Sequence, residues 1–247
     1  MGPDTGFGIS GGREGQALGA DLGFRADFNW SRSYDYRETE ENDYAVSGDG
    51  SLVARNQLTE KRTDMNIDLG GLFVLAADWG DHSLRSNLFF IRKATKRSQI
   101  TEGTRVVSDD LFIRDYLLDW NERQLNAQQL LGEHDFGWVK IDWRGLMAKG
   151  ERSSPDRRQY IYERQTNGDF VFYNQGKANR RFNETEDDVE SLGTDLEFPL
   201  LDSDQWNLSL HTGGSTYSQD RESRTRRFSF ETQNNPDISQ PPEVLLD

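Results

Sequence analysis

Gly6, Gly8 and Gly11 stand at the spacing G-x-G-x-x-G, which in dinucleotide-binding folds closes a tight turn beneath a pyrophosphate. That chemistry needs a hydrophobic strand before the glycines and a helix after them. Neither pattern flanks residues 6–11, so the segment reads as a glycine-rich strand and turn. His82, His134 and His211 are scattered singly, two of them at short turns, whereas a zinc site needs three or four converging ligands. Glu184, Glu186, Asp187, Asp188 and Glu190 could offer oxygens to calcium, but they lack the spaced ligands and glycine of a calcium loop and read as a solvated face. The arginine pairs at 157–158, 180–181 and 226–227 could grip phosphates or stand as unpartnered charges at loop ends. Among 43 acidic residues no carboxylate pair is flanked by the aromatic pattern of a glycoside subsite, and no nucleophile elbow is present. The expectation is a non-enzymatic chain with no cofactor and no bound metal.

The elements that would position these residues are strands. From Leu22 to Tyr36 the side chains alternate: Leu22, Phe24, Ala26, Phe28, Trp30, Tyr34 and Tyr36 on one parity, interrupted by Arg32, and Gly23, Arg25, Asp27, Asn29, Ser31, Ser33 and Asp35 on the other. A strand sends successive side chains to opposite faces, so one wall is oily and the other wet. The run would reach about 50 Å, far longer than an ordinary strand. Similar alternation places eight strands near residues 4–12, 17–36, 63–77, 83–96, 111–134, 138–150, 187–198 and 205–218. The fifth changes phase near Glu122 and Arg123, where a bulge would restore the register. Short turns fall near 12–16, 78–83, 134–138 and 199–205, and long polar segments near 38–62, 97–111, 150–187 and 219–247. A barrel threaded through a membrane sorts its connections in this way, with short turns on one rim and long loops on the other. Trp79, Trp138 and Trp206 lie at or beside the short turns, and Trp30, Tyr34 and Tyr36 at the far end of the second strand. Such aromatics form a girdle at each membrane interface, or else seal the ends of a sandwich core.

Composition bounds these readings. The hydrophobic fraction is 34% and the mean hydropathy −0.86, and no apolar run approaches the twenty residues of a transmembrane helix. A barrel is compatible with such values because half of each strand faces a polar lumen. The net charge of −14 argues against nucleic acid as a partner. The absence of cysteine excludes disulfides and thiolate metal sites. The beginning carries no basic and apolar leader, and the end reads as loop without a closing strand; both lead to the expectation of a piece of a longer protein.

Several phrases carry a resemblance. Trp120-Asn121-Glu122-Arg123-Gln124-Leu125 with Gln129-Leu130-Leu131-Gly132-Glu133-His134 resembles the central barrel of TonB-dependent outer-membrane receptors. So do Lys140-Ile141-Asp142-Trp143, Pro155-Asp156-Arg157-Arg158 with Tyr160-Ile161-Tyr162-Glu163, Arg180-Arg181-Phe182, Leu192-Gly193-Thr194-Asp195-Leu196 and Arg226-Arg227-Phe228-Ser229-Phe230. The resemblance spans residue 4 to the end, and order and spacing carry it more than any single phrase. It implies an all-β, antiparallel up-and-down transmembrane barrel, here a partial one of about eight strands. It further implies import of a scarce nutrient (a siderophore, cobalamin or an oligosaccharide) across the outer membrane of a Gram-negative bacterium. The energy would be relayed from the inner membrane through a plug domain that is not visible in residues 1–247. Phe24, Phe28, Met65, Ile67, Leu69, Ile141 and Leu196 are then expected to face lipid, and Arg25, Asp27, Asn29, Asp64, Asn66, Asp68, Lys140, Asp142 and Arg144 the lumen. Segment 150–187 would contribute to the ligand access face. Two other readings compete: a passive porin or structural barrel, and a soluble secreted carbohydrate-binding module whose aromatics are stacking platforms.

Overall fold

In an antiparallel ladder, directly opposed residues project to the same side, so the register turns one strand's alternation into a face of the whole sheet. The computed structural model describes residues 2–106, 110–172, 179–202 and 205–229. The strands are β1 (Thr5–Ala17), β2 (Ala20–Val46), β3 (Leu52–Trp79), β4 (His82–Val106), β5 (Asp110–Asp135), β6 (Lys140–Arg164), β7 (Phe170–Phe172), β8 (Asn179–Asp202) and β9 (Asn207–Ser229). They form one sheet in the order β1-β2-β3-β4-β5-β6-β8-β9, every pairing antiparallel, with β7 added to the outer end of β6. The fold is all-β and up-and-down, and the sheet is open, as a partial barrel is. Among the described residues there is no helix, hence none long and apolar enough to cross a membrane.

The eight long strands match the eight expected; β5 keeps nearly its expected bounds, and most of the others are much longer. The segments 38–62 and 97–111, read as long loops, are largely strand: β2 runs to Val46, β3 begins at Leu52 and β4 continues to Val106. Segment 150–187 likewise holds the outer half of β6, β7 and the start of β8, and 219–229 continues β9; residues 230–247 lie outside the described residues. The physical reason is that a ladder templated by its neighbour needs no hydrophobic alternation to continue. Polar residues interrupt the alternation along these extensions, so periodicity falls silent while backbone pairing goes on. Yet two small apolar clusters are buried there, Tyr160, Tyr162 and Phe172 in one and Leu58, Ile113 and Ile161 in the other. With 27 residues, β2 reaches roughly 90 Å at about 3.3 Å per residue.

Turn chemistry fixes the rim. Leu18 and Gly19 both have positive φ (56° and 79°) in the two-residue turn between Ala17 and Ala20, as a type I′ hairpin demands. Gly80 takes positive φ at the first position of the turn joining Trp79 to His82. At the opposite rim, residues 47–51 close β2 onto β3 through Ser47 N–H to Ser51 O (2.8 Å) and Gly50 N–H to Ser47 O (2.9 Å).

Two irregularities coincide with proline, which cannot donate to a ladder. The β6–β8 register shifts between Ser154 and Arg157, around Pro155, and the β8–β9 register shifts at Pro199. The bulge expected in the fifth strand near Glu122 therefore lies in its partner. The strand β5 keeps one unbroken register with β4, while the β5–β6 pairing slips between Leu118 and Glu122, opposite Pro155. The apparent phase change in β5 arises because its apolar residues change face, from Tyr116, Leu118 and Trp120 to Leu125 and Leu131.

Candidate functional site: a two-faced sheet with an apolar belt

Following the register across the sheet, Phe24 pairs with Leu75, Trp30 with Leu69, Tyr34 with Met65 and Ile141 with Leu196. Tracing such pairs from strand to strand puts Phe24, Phe28, Met65, Ile67, Leu69, Ile141 and Leu196 on one face, here face A. Arg25, Asp27, Asn29, Asp64, Asn66, Asp68, Lys140, Asp142 and Arg144 fall on the opposite face B. The apolar side chains of face A are not packed away: Phe24, Phe28, Leu75, Leu88, Met147, Leu192 and Leu210 are all exposed. A contiguous patch of this kind marks a surface that something apolar must cover.

Its outline is diagonal. Counting outward from the short-turn rim, and passing over the single polar residues Arg32, Ser86 and Thr194, the last apolar side chain on face A before polar ones take over is Tyr36 in β2, Met65 in β3, Phe90 in β4 and Leu130 in β5. It is then Met147 in β6, Leu192 in β8 and Leu210 in β9. Hydrogen-bonded rows thus leave the belt as they cross the sheet. Met65 is opposed by Lys96, Phe90 by Asn126, Met147 by Glu190 and Leu192 by Thr216. One step runs the other way, since Met147 lies a rung farther out than Leu130. An open groove of about 850 Å³ lies where the belt gives way, lined by Phe73, Leu88, Phe90, Asn126, Gln128 and Lys149 and also by Leu72, Phe89, Ala127, Ala148 and Val189.

The aromatics sit at the edges of this belt. Trp79 closes β3, Trp138 lies in the turn before β6 and Trp206 just before β9; the last two are 70% exposed. Trp30, Tyr34 and Tyr36 lie at the outer edge of the belt but in the middle of β2, not at its end, because the strand continues past them. His82 and His134, scattered in sequence, are brought directly opposite each other with ring centroids 5.3 Å apart, against Trp79 and Phe136. The indole Nε1–H of Trp143 donates to His134 Nε2 at 3.1 Å. The Trp143 ring also covers Gly132, where a Cβ would come within 2.3 Å of it. His211 lies on face B beside Ser209 Oγ (2.9 Å).

Face B carries an ionic lattice. Asp64, 5% exposed, accepts from Arg62 (2.6 and 2.8 Å) and Arg97 (2.9 and 3.3 Å). Arg25 is bonded to Asp27, and Arg144 to Asp195. This face is not uniformly wet: Leu72, Phe89, Ala127, Ala148 and Val189 form one continuous row across β3–β8. Val74, Ile91, Leu125 and Leu146 adjoin the row on the same face, and only strand pairing shows that these scattered apolar residues lie together.

The other motifs resolve plainly. The pleat splits the acidic run, with Glu184, Glu186, Asp188 and Glu190 on face A and Asp187 on face B bonded to Gln219 and Arg221. Among the described residues no group of three or more acids or histidines could hold a metal ion. The glycines of 6–11 lie within β1 and form no phosphate-binding loop. Searches against protein families, curated proteins and solved structures find no match for this chain.

Proposed function

We propose that this chain is part of the wall of an outer-membrane β-barrel of the TonB-dependent receptor type, engaged in uptake of a scarce nutrient. The observation that carries the membrane half is the diagonal belt. Strands of a membrane barrel tilt by about 35–45°, and their hydrogen-bond rows run perpendicular to them, so a flat slab of hydrocarbon must cut the rows obliquely and in one sense. The belt on face A does so from Tyr36 in β2 to Leu210 in β9, apart from the one reversed step between β5 and β6. Its edges hold Trp and Tyr, side chains suited to the headgroup region. Face A then meets lipid and face B the lumen, and the long polar halves of β2–β9 project beyond the bilayer. The receptor half rests on the order of sequence phrases from Trp120 to Phe230.

The test is substitution by arginine on each face, with folding measured in lipid vesicles. Phe28→Arg and Ile141→Arg are expected to cost about 2–4 kcal/mol each. Ser31→Arg, on face B, should cost far less. Equal effects on both faces, or none on either, would remove the lipid assignment. Import by a receptor of this kind stops when the inner-membrane proton gradient is collapsed, whereas a passive pore goes on conducting.

A further inference from the structure

Three Arg-Arg dipeptides, 157–158, 180–181 and 226–227, stand on three successive strands of the sheet order, β6, β8 and β9. In a strand, neighbours point to opposite faces, so each dipeptide contributes one guanidinium to each side. On face A these side chains are engaged, two with a carboxylate and one with an aromatic ring. Arg158 donates to Asp156 at 2.7 Å, Arg180 to the same carboxylate at 2.6 and 3.1 Å, and Arg226 lies over the Phe182 ring at 5.5 Å.

On face B they are not. Arg157 is directly opposite Arg181, and Arg181 directly opposite Arg227, which makes a continuous row of three guanidinium groups. A second like pair, Arg123 and Arg152, lies just inward. Among the described residues none of these five forms an ion pair with a carboxylate, in a chain whose net charge is −14. The Nε of Arg181 is buried with no hydrogen-bond partner. Burial first, then the adjacent Arg157, Arg227 and Arg152, push its guanidinium below the ordinary value, with Asp119 offsetting part of this. Like charges placed directly opposite one another destabilise a sheet, and an acidic chain has carboxylates to spare. Asp119 offsets only part of the charge and pairs with none of the three, which leaves the row in want of negative charge from outside.

We infer that the Arg157–Arg181–Arg227 row is a binding site for a soluble oligoanion, a small molecule bearing two or more carboxylate or phosphate groups. Strands lie about 4.8 Å apart, so successive guanidiniums match oxyanions a few bonds apart on one molecule. Each guanidinium can grip an oxyanion through paired N–H donors, and a single small monoanion would engage one and leave two uncompensated. The neutral pairs Asn183–Thr225 and Thr185–Ser223 adjoin the row on the same face and can bond the remaining ligand oxygens. A lipid headgroup is disfavoured because the row lies on the face opposite the apolar belt. The inference names the ligand class for the lumen side of the proposed barrel. It depends on that reading only for the compartment the site faces, since binding itself is measured on the isolated chain.

The test uses the full chain in detergent, titrated calorimetrically with tripolyphosphate, citrate and acetate, and separately with phosphatidylglycerol vesicles. Tripolyphosphate and citrate should bind at least about tenfold more tightly than acetate and weaken as salt rises. Arg181→Gln and Arg227→Gln should each weaken them at least about tenfold, the loss of one charge-assisted contact. Arg226→Gln, one residue away on the other face, should leave binding unchanged. Without anion, Arg181→Gln should raise the melting temperature; Arg227→Gln, on exposed β9, serves if that variant does not fold. Equal affinity for citrate and acetate, equal losses in Arg226→Gln and Arg227→Gln, or binding to the vesicles alone would each overturn the inference. Any of these could occur while the arginine scan of Phe28 and Ile141 still supports a membrane wall.

Discussion

Asp156 shows how a single residue can steady the part of the sheet that projects beyond the belt. It follows Pro155 at the β6 irregularity and binds two arginines from two strands, Arg158 of β6 and Arg180 of β8. Burial alone would raise its carboxyl, but the hydrogen bonds from Arg158 and Arg180 outweigh that and hold it below the usual carboxylate range. A carboxyl whose folded pKa is lowered adds stability that is complete above its unfolded value, about 3.9, and is lost as pH falls through the lower folded value. Protection of the amides in the outer halves of β6 and β8, corrected for the intrinsic pH dependence of exchange, should therefore hold steady from neutral pH to about 4 and fall below it. Asp156→Asn should remove that pH dependence. A profile unchanged by the substitution would show that the triad contributes nothing to the extension.

At the scale of an element, the hairpin β1–β2 carries a correctable flaw. A type I′ turn needs positive φ at both central residues; Gly19 takes it freely, but Leu18 is held there against its own Cβ. Leu18→Asn should stabilise the hairpin by about 1 kcal/mol, read as a higher denaturation midpoint at unchanged slope. No gain would mean that the turn relaxes away from this geometry. Strand length was poorly legible in the sequence for a different reason. Between Leu22 and Tyr36 one wall is apolar, so the period of two is written in hydrophobicity. Between Arg37 and Val46 both walls are polar, and the strand persists because Leu52–Arg62 pairs with it. Pro155 and Pro199 could be read from the chain as places where a ladder must yield. That Pro155, and no residue of β5, absorbs the slip opposite Leu118–Glu122 required both registers.

For the whole molecule, the open sheet and its uncovered face govern behaviour in solution. Among the described residues β1 pairs only with β2 and β9 only with β8, so two long edges present unsatisfied backbone groups. Edges of this kind, beside a face bearing exposed Phe24, Phe28 and Leu75, favour association in water. Expressed without detergent, the chain should sediment as heterogeneous aggregates, and detergent should disperse it. A monodisperse, cooperatively melting monomer in plain buffer would defeat the membrane account and return the soluble carbohydrate-binding reading to first place.

The sequence alone determined which side chains share a wall within one strand, because alternation along an extended backbone is a local property: Phe24 with Phe28, Arg25 with Asp27, Asp142 with Arg144. It likewise placed three of the short turns, where glycine or an aromatic interrupts the pattern, and it showed each Arg-Arg dipeptide as a pair. Tertiary structure decided everything that depends on lateral neighbours. It set the diagonal edge of the belt, the meeting of His82 with His134, and the apolar row from Leu72 to Val189. It also divided six arginines into two that share Asp156, one that lies over the Phe182 ring, and three that stand in line. Those features are fixed by register between residues tens of positions apart, and no single strand carries that offset in its own residues.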